Sequence, residues 1–90
     1  MTMMDQADWI RVTVKFLARY QEEAGAEEVD LMFEPPVTVG DVLETLKEKF
    51  PGWGATVHEP LVARNLEYAR PAEAVADGDE IAVFPPVSGG

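Results

Sequence analysis

The chain of 90 residues predicts one small α+β domain, a mixed sheet with one main helix on one face. Three observations predict it. Stretches of β-branched and aromatic residues flank one amphipathic segment, in the order strand, strand, helix, strand, strand. The first and last strands are the most apolar, so they should be central and adjacent. The hairpin and helix between them supply the crossover that a parallel pair requires. There is no cysteine, so no disulfide can staple the fold and one modest core must hold it.

Residues 9–16 alternate. Ile10, Val12, Val14 and Phe16 point one way, and Trp9, Arg11, Thr13 and Lys15 the other, which is the period of a strand. Residues 17–24 read as a short helical turn closed by Gly25. Val29, Leu31 and Phe33 alternate with Asp30, Met32 and Glu34, giving a second strand that pairs antiparallel with the first and stops at Pro35-Pro36. Thr38 is placed to cap a helix, with Asp41 near its positive end. Val39, Val42, Leu43, Leu46 and Phe50 then recur at helical spacing, with Asp41, Glu44, Lys47 and Glu48 on the other face. No ligand residue interrupts that stripe, so it reads as core. Pro51-Gly52 end the helix.

Residues 50–60 read as a loop in which Trp53 lids a core edge and His58 sits at the surface. A lone histidine with no cysteine or second histidine cannot build a zinc site, so no metal is expected. Residues 61–64 form a short strand, Asn65-Leu66-Glu67 a turn, and Tyr68-Ala69 a brief continuation. Residues 71–76 are a connection, and Asp77-Gly78-Asp79 is a turn signal. Residues 80–84 are the last strand, with Ile81 and Val83 on one face and Phe84 on the other. The expected core is Ile10, Val12, Val14, Phe16, Val29, Leu31, Val39, Val42, Leu43, Leu46, Phe50, Leu61, Ile81 and Val83.

The domain is therefore expected over residues 9–84, after a flexible leader at 1–8 and before an extended tail at 85–90. The leader lacks the basic and apolar regions of a signal peptide, and no run of about 18 apolar residues could span a membrane. A cytoplasmic protein is the resulting expectation. With 17 acidic against 7 basic residues the net charge is −10. That argues against nucleic acid and anionic membrane surfaces as partners and favours a basic protein surface. In the tail, Pro85 and Pro86 end the strand, and Val87 and Ser88 lead to Gly89 and Gly90. A pair of residues without Cβ atoms suits a channel too narrow for any other pair. Five residues from Pro86 reach roughly 15–18 Å when extended. The tail is thus suited to delivering the Gly90 carboxylate into another protein's site. Phe84, beside the root of the tail and on the sheet face away from the helix, is the expected partner contact, with Thr13, Lys15 and Met32 sharing that face.

The stretches at residues 12–19, 38–43 and 65–68, and above all Asp77-Gly-Asp-Glu-Ile-Ala-Val-Phe-Pro-Pro-Val-Ser-Gly-Gly90, resemble the MoaD/ThiS family, in particular the small subunit of molybdopterin synthase. The resemblance covers roughly residues 9–90. It implies the β-grasp, or ubiquitin-like, fold. It also implies a sulfur carrier whose Gly90 is adenylated by a ubiquitin-activating-type adenylyltransferase using ATP, then converted to a thiocarboxylate by a sulfur donor enzyme. Sulfur then passes to a pyranopterin precursor within the large synthase subunit, in a heterotetramer. Gly89 would give clearance and Pro85 to Ser88 would guide the tail. No cofactor would be bound stably, and the catalytic side chains would belong to the partners. Two alternatives share the activated carboxylate: a ubiquitin-like modifier conjugated through Gly90, and a thiamine-pathway sulfur carrier. Arg64, Leu66 and residues 72–75 depart from the family pattern. Arg64 stands where a small aliphatic residue is usual, and Leu66 where glycine or a small polar residue is commoner.

Overall fold

The alternation of the first segment does place Ile10, Val12, Val14 and Phe16 inside, on β1 (Ile10–Phe16). The computed structural model describes residues 8–86. After β1 come α1 (Tyr20–Ala24), β2 (Glu28–Phe33), β3 (Val37–Thr38), α2 (Val39–Lys49), α3 (Pro51–Gly54), β4 (Leu61–Arg64), β5 (Glu67–Tyr68), β6 (Ala74–Val75) and β7 (Glu80–Phe84). The main sheet has the order β2-β1-β7-β4-β5. β1 and β7 are its parallel centre, and β2 and β4 flank them antiparallel. This is the β-grasp arrangement, as expected from the order of elements.

α2 begins where the sequence places it. The Asp41 N–H donates to Thr38 Oγ1 and the Thr38 N–H donates back to Asp41 Oδ2, a reciprocal cap. Val39, Val42 and Leu46 face the sheet and are buried. α1 is closed by Gly25 at φ 76°, a left-handed position that a side chain would strain.

Several expectations are corrected. The stretch after α2 is not simply a loop: it contains α3, and Trp53 is fully buried rather than lidding an edge. The indole meets Phe16 and Tyr20 edge-on, with centroids 5.5 Å apart in each case. The neighbouring glycines admit it, since a Cβ on Gly54 would lie 2.6 Å from the Lys47 carbonyl oxygen and one on Gly52 2.9 Å from that of Glu23. In β4 the inward residue is Val62, not Leu61, because Leu61 pairs with Phe84 and so takes the outer face. Residues 71–76 are more than a connection: β6 pairs with β3 in a second small sheet, burying Val37 and Val75. Tyr20 also joins the core, while Val29, Leu43 and Phe50 only pack against it. The short helix begins at Tyr20, leaving Leu17 outside on the open face of the sheet.

Candidate functional site

The face of the sheet away from α2 carries the candidate site. Ile81 and Val83 of β7 point into the core, so Ala82 and Phe84 must point out. The pairing Ala63↔Ala82 puts Ala63 beside them, and Ala63↔Tyr68 adds Tyr68 from β5. Together with Leu17 and Leu66 these side chains line an open, largely apolar groove of about 300 Å³. Tyr68 and Phe84 form one wall, with ring centroids 6.0 Å apart and planes tilted by 45°. The alanines keep the floor low, so the groove is a consequence of small residues on two adjacent strands. Tyr68 and Leu66 are 75% and 90% exposed and, with the rest of the groove lining, form one contiguous apolar patch.

A polar knot fixes the β4–β5 rim of this groove. The Asp79 carboxylate is buried and accepts from Arg64 Nε at 2.8 Å, Asn65 Nδ2 at 2.9 Å and the Ala76 N–H at 2.8 Å. Asn65 Oδ1 accepts in turn from the Glu80 N–H at 2.9 Å. Burial alone would raise the Asp79 pKa. The hydrogen bonds from Ala76, Asn65 and Arg64, with the Arg64 charge, outweigh that and hold it below the ordinary carboxylate value. On the other flank Lys15 Nζ pairs with Glu80 Oε2 at 3.4 Å.

Phe84 ends β7, and Pro85 and Pro86 follow it without regular structure, the first half-buried and the second exposed. Val87, Ser88, Gly89 and Gly90 lie outside the described residues, as does the leader except for Asp8. Among the described residues no group of three or more His, Cys, Asp or Glu could hold a metal ion, and no helix is long and apolar enough to cross a membrane. The groove can bind an apolar surface, but it presents no nucleophile or proton-transfer pair.

The ThiS family matches residues 14–90. The chain belongs to this family. Among relatives of this ThiS-family protein, small archaeal modifier protein 1 of Haloferax volcanii is 39% identical over 84 residues, covering 84% of the chain and 97% of the relative. The molybdopterin synthase sulfur carrier subunit of Aedes aegypti is 36% identical over 90 residues, covering 90% of each chain. The crystal structure of the Haloferax volcanii modifier superposes with a TM-score of 0.80 at 35% identity, over 87% of this chain and 99% of the other.

Of the residues that the sequence marks on this ThiS-family domain, Phe84 stands where expected, facing out beside the root of the tail. Its neighbourhood differs. Thr13, Lys15 and Met32 share the face but are engaged or distant: Thr13 Oγ1 donates to Asp30 Oδ1, Lys15 pairs with Glu80, and Met32 lies on edge strand β2. The side chains that line the groove with Phe84 come instead from β4, β5 and the residue after β1. Tyr68 and Leu66 were legible only as turn and strand residues. The register that lays Tyr68 opposite Ala63 is what brings Tyr68 to Phe84. His58 is exposed, as expected.

Proposed function

We propose that the protein is the sulfur carrier of molybdopterin biosynthesis and that Gly90 is the reacting residue. The observation that carries this reading is the family match, which runs through residue 90 and so takes in the whole Pro-Pro-Val-Ser-Gly-Gly stretch. Sulfur carrier subunits from Chlamydomonas reinhardtii and Aedes aegypti align over 100% and 90% of their lengths.

A carboxylate resists nucleophilic attack because its charge and resonance oppose it. An adenylyltransferase of the ubiquitin-activating type joins the Gly90 carboxylate to AMP, releasing pyrophosphate from ATP. Sulfide supplied by a sulfur donor enzyme then displaces AMP: the carbon–sulfur bond forms as the carbon–oxygen bond to AMP breaks, and a thiocarboxylate remains. The tail enters the large synthase subunit, in a heterotetramer; the thiocarboxylate sulfur bonds to the pyranopterin precursor, and water then cleaves the bond between that sulfur and the Gly90 carbonyl carbon, restoring the carboxylate. Gly89 gives clearance, and Pro85, Pro86, Val87 and Ser88 guide the tail. The protein holds no stable cofactor of its own and works in the cytoplasm. The groove around Phe84 adjoins the root of the tail, so a partner that receives Gly90 lies over it. Aromatic anchors at the centre of such contacts commonly carry about 2 kcal/mol or more.

One observation favours a second reading. The Haloferax volcanii modifier is 39% identical, and an activated Gly90 can be attacked by a lysine amine as well as by sulfur. Mass spectrometry of the protein purified from its own cell separates the two. The expected result is a fraction whose Gly90 has exchanged one oxygen for sulfur. A Gly90 found only in isopeptide bonds to lysines, with no thiocarboxylate, would replace the carrier reading with the modifier reading.

A further inference from the structure

Leu66 occupies a backbone position that leucine disfavours. Arg64 pairs with Glu67, so Asn65 and Leu66 alone form the turn between β4 and β5. Their φ values are 51° and 74°. Positive φ at both positions is the geometry whose twist suits a two-residue hairpin, and glycine is favoured at the second position because it has no Cβ. Leucine there is strained, and at 90% exposure it is the most exposed of the exposed large apolar residues, so among the described residues no burial offsets the strain. A side chain held in a disfavoured backbone conformation, with nothing in the described domain to bury it, points to a use outside the domain.

The turn is also held rigidly. The Asn65 N–H donates to the Glu80 carbonyl at 2.8 Å, and the Asn65 side chain bridges Asp79 Oδ1 and the Glu80 N–H, at 2.9 Å each. Arg64 Nε adds its bond to Asp79 at 2.8 Å. These bonds tie the turn to the start of β7, the strand that ends at Phe84 and leads into the tail. Leu66 is therefore at a set position relative to the root of the tail, and it forms part of the groove that opens beside Phe84.

We propose that Leu66 is a specificity-determining contact, a preorganised apolar knob that enters a concave apolar pocket on the large synthase subunit while Gly90 lies in that subunit's site. The inference rests on the function proposed above. The occupant follows from continuity. The tail that carries Gly90 is rooted beside Phe84, which lines the groove, so a protein that receives Gly90 at close range meets the groove wall. The net charge of −10 calls for basic residues around the rim of that pocket. Leu66 lies on the β4–β5 turn and not on the tail, so it can discriminate among partners without entering the path of Gly90.

The test uses the full chain with Leu66→Gly, which relieves the positive φ, Leu66→Asn, which tolerates it but is polar, and Leu66→Met as the conservative rescue. Affinity for the large subunit is read by calorimetry. Sulfur transfer is followed with thiocarboxylated protein, and adenylation with the activating enzyme. The expected result is a thermal midpoint unchanged or raised in Leu66→Gly, with affinity for the large subunit at least tenfold weaker in both the Gly and Asn variants and within threefold of wild type in Leu66→Met. The rate at saturating large subunit and the KM for adenylation should stay within about twofold. Unchanged affinity in Leu66→Gly would overturn the proposal. So would equal losses with both partners, because the contact would then not discriminate. A wild-type chain that neither binds the large subunit nor transfers sulfur would overturn the proposed function and this inference with it.

Discussion

At the residue scale, Asp79 gathers three hydrogen bonds onto one buried carboxylate. Its carboxylate joins the Asp77-Gly78-Asp79 turn to Arg64 and Asn65 at the end of β4, and Gly78 turns the chain at φ 86°. The folded pKa lies below the ordinary value, because the hydrogen bonds and the arginine outweigh desolvation. A depressed carboxylate pKa contributes stability that is complete above the unfolded value of about 3.9 and is lost as pH falls through the lower folded value. Asp79→Asn should therefore destabilise the domain at neutral pH, by about 1.5–3 kcal/mol on the scale of hydrogen bonds to a charged group. The gap to wild type should close as pH falls below about 4. Urea unfolding of both proteins between neutral and acid pH reads this directly, and a gap independent of pH would contradict it. The turn itself was legible, because Asp-Gly-Asp has few other readings. The burial of Asp79 was not. Its partner Arg64 lies 15 residues away in sequence, and only the β4–β7 register brings the two together.

At the element scale α2 was the most legible part of the chain, because eleven residues give periodicity room to show and its cap is written in Thr38 and Asp41. Thr38→Ala should remove one half of the reciprocal cap and cost about 1 kcal/mol. For a domain of this size that lowers the thermal midpoint by roughly 4–8 °C, and a melting curve followed by circular dichroism checks it. A shift near zero would mean that β3 and its partner β6 hold the start of the helix without the side chain. The shortest elements, α3, β3 and β6, were not legible, nor was the facing of β4, for a physical reason. α3 has four residues, about one turn, and no stripe can repeat within it. β4 is Leu-Val-Ala-Arg, with apolar residues on both faces, so nothing in it says which face is inward. A slip of one residue there exchanges Leu61 for Val62. β3 and β6 have two residues each and exist only through each other.

At the scale of the whole molecule, the apolar character of β1 and β7 was enough to place them side by side and parallel at the centre, and that placement puts the root of the tail at the end of a central strand. The last buried residue of the described core is Val83. Removing Gly90 should therefore change stability by no more than a few tenths of a kcal/mol, as at other surface positions. The shortened chain still ends in a carboxylate, its net charge is still −10, and the groove around Phe84 is intact. Attraction to a basic partner should survive, and affinity should fall only modestly. Chemistry should not survive. One residue removed leaves the carboxyl about 3.5 Å short of its place. Attack needs atoms within roughly 3–3.5 Å, and a displacement of about 1 Å can already cost 100-fold in rate. Adenylation, and with it the supply of thiocarboxylate, should thus drop by far more than binding does. Measuring adenylate formation with the activating enzyme beside the affinity for the large subunit separates the two quantities. If the shortened chain is adenylated at the wild-type rate, the terminus is not the reacting group, and the carrier and modifier readings both fall.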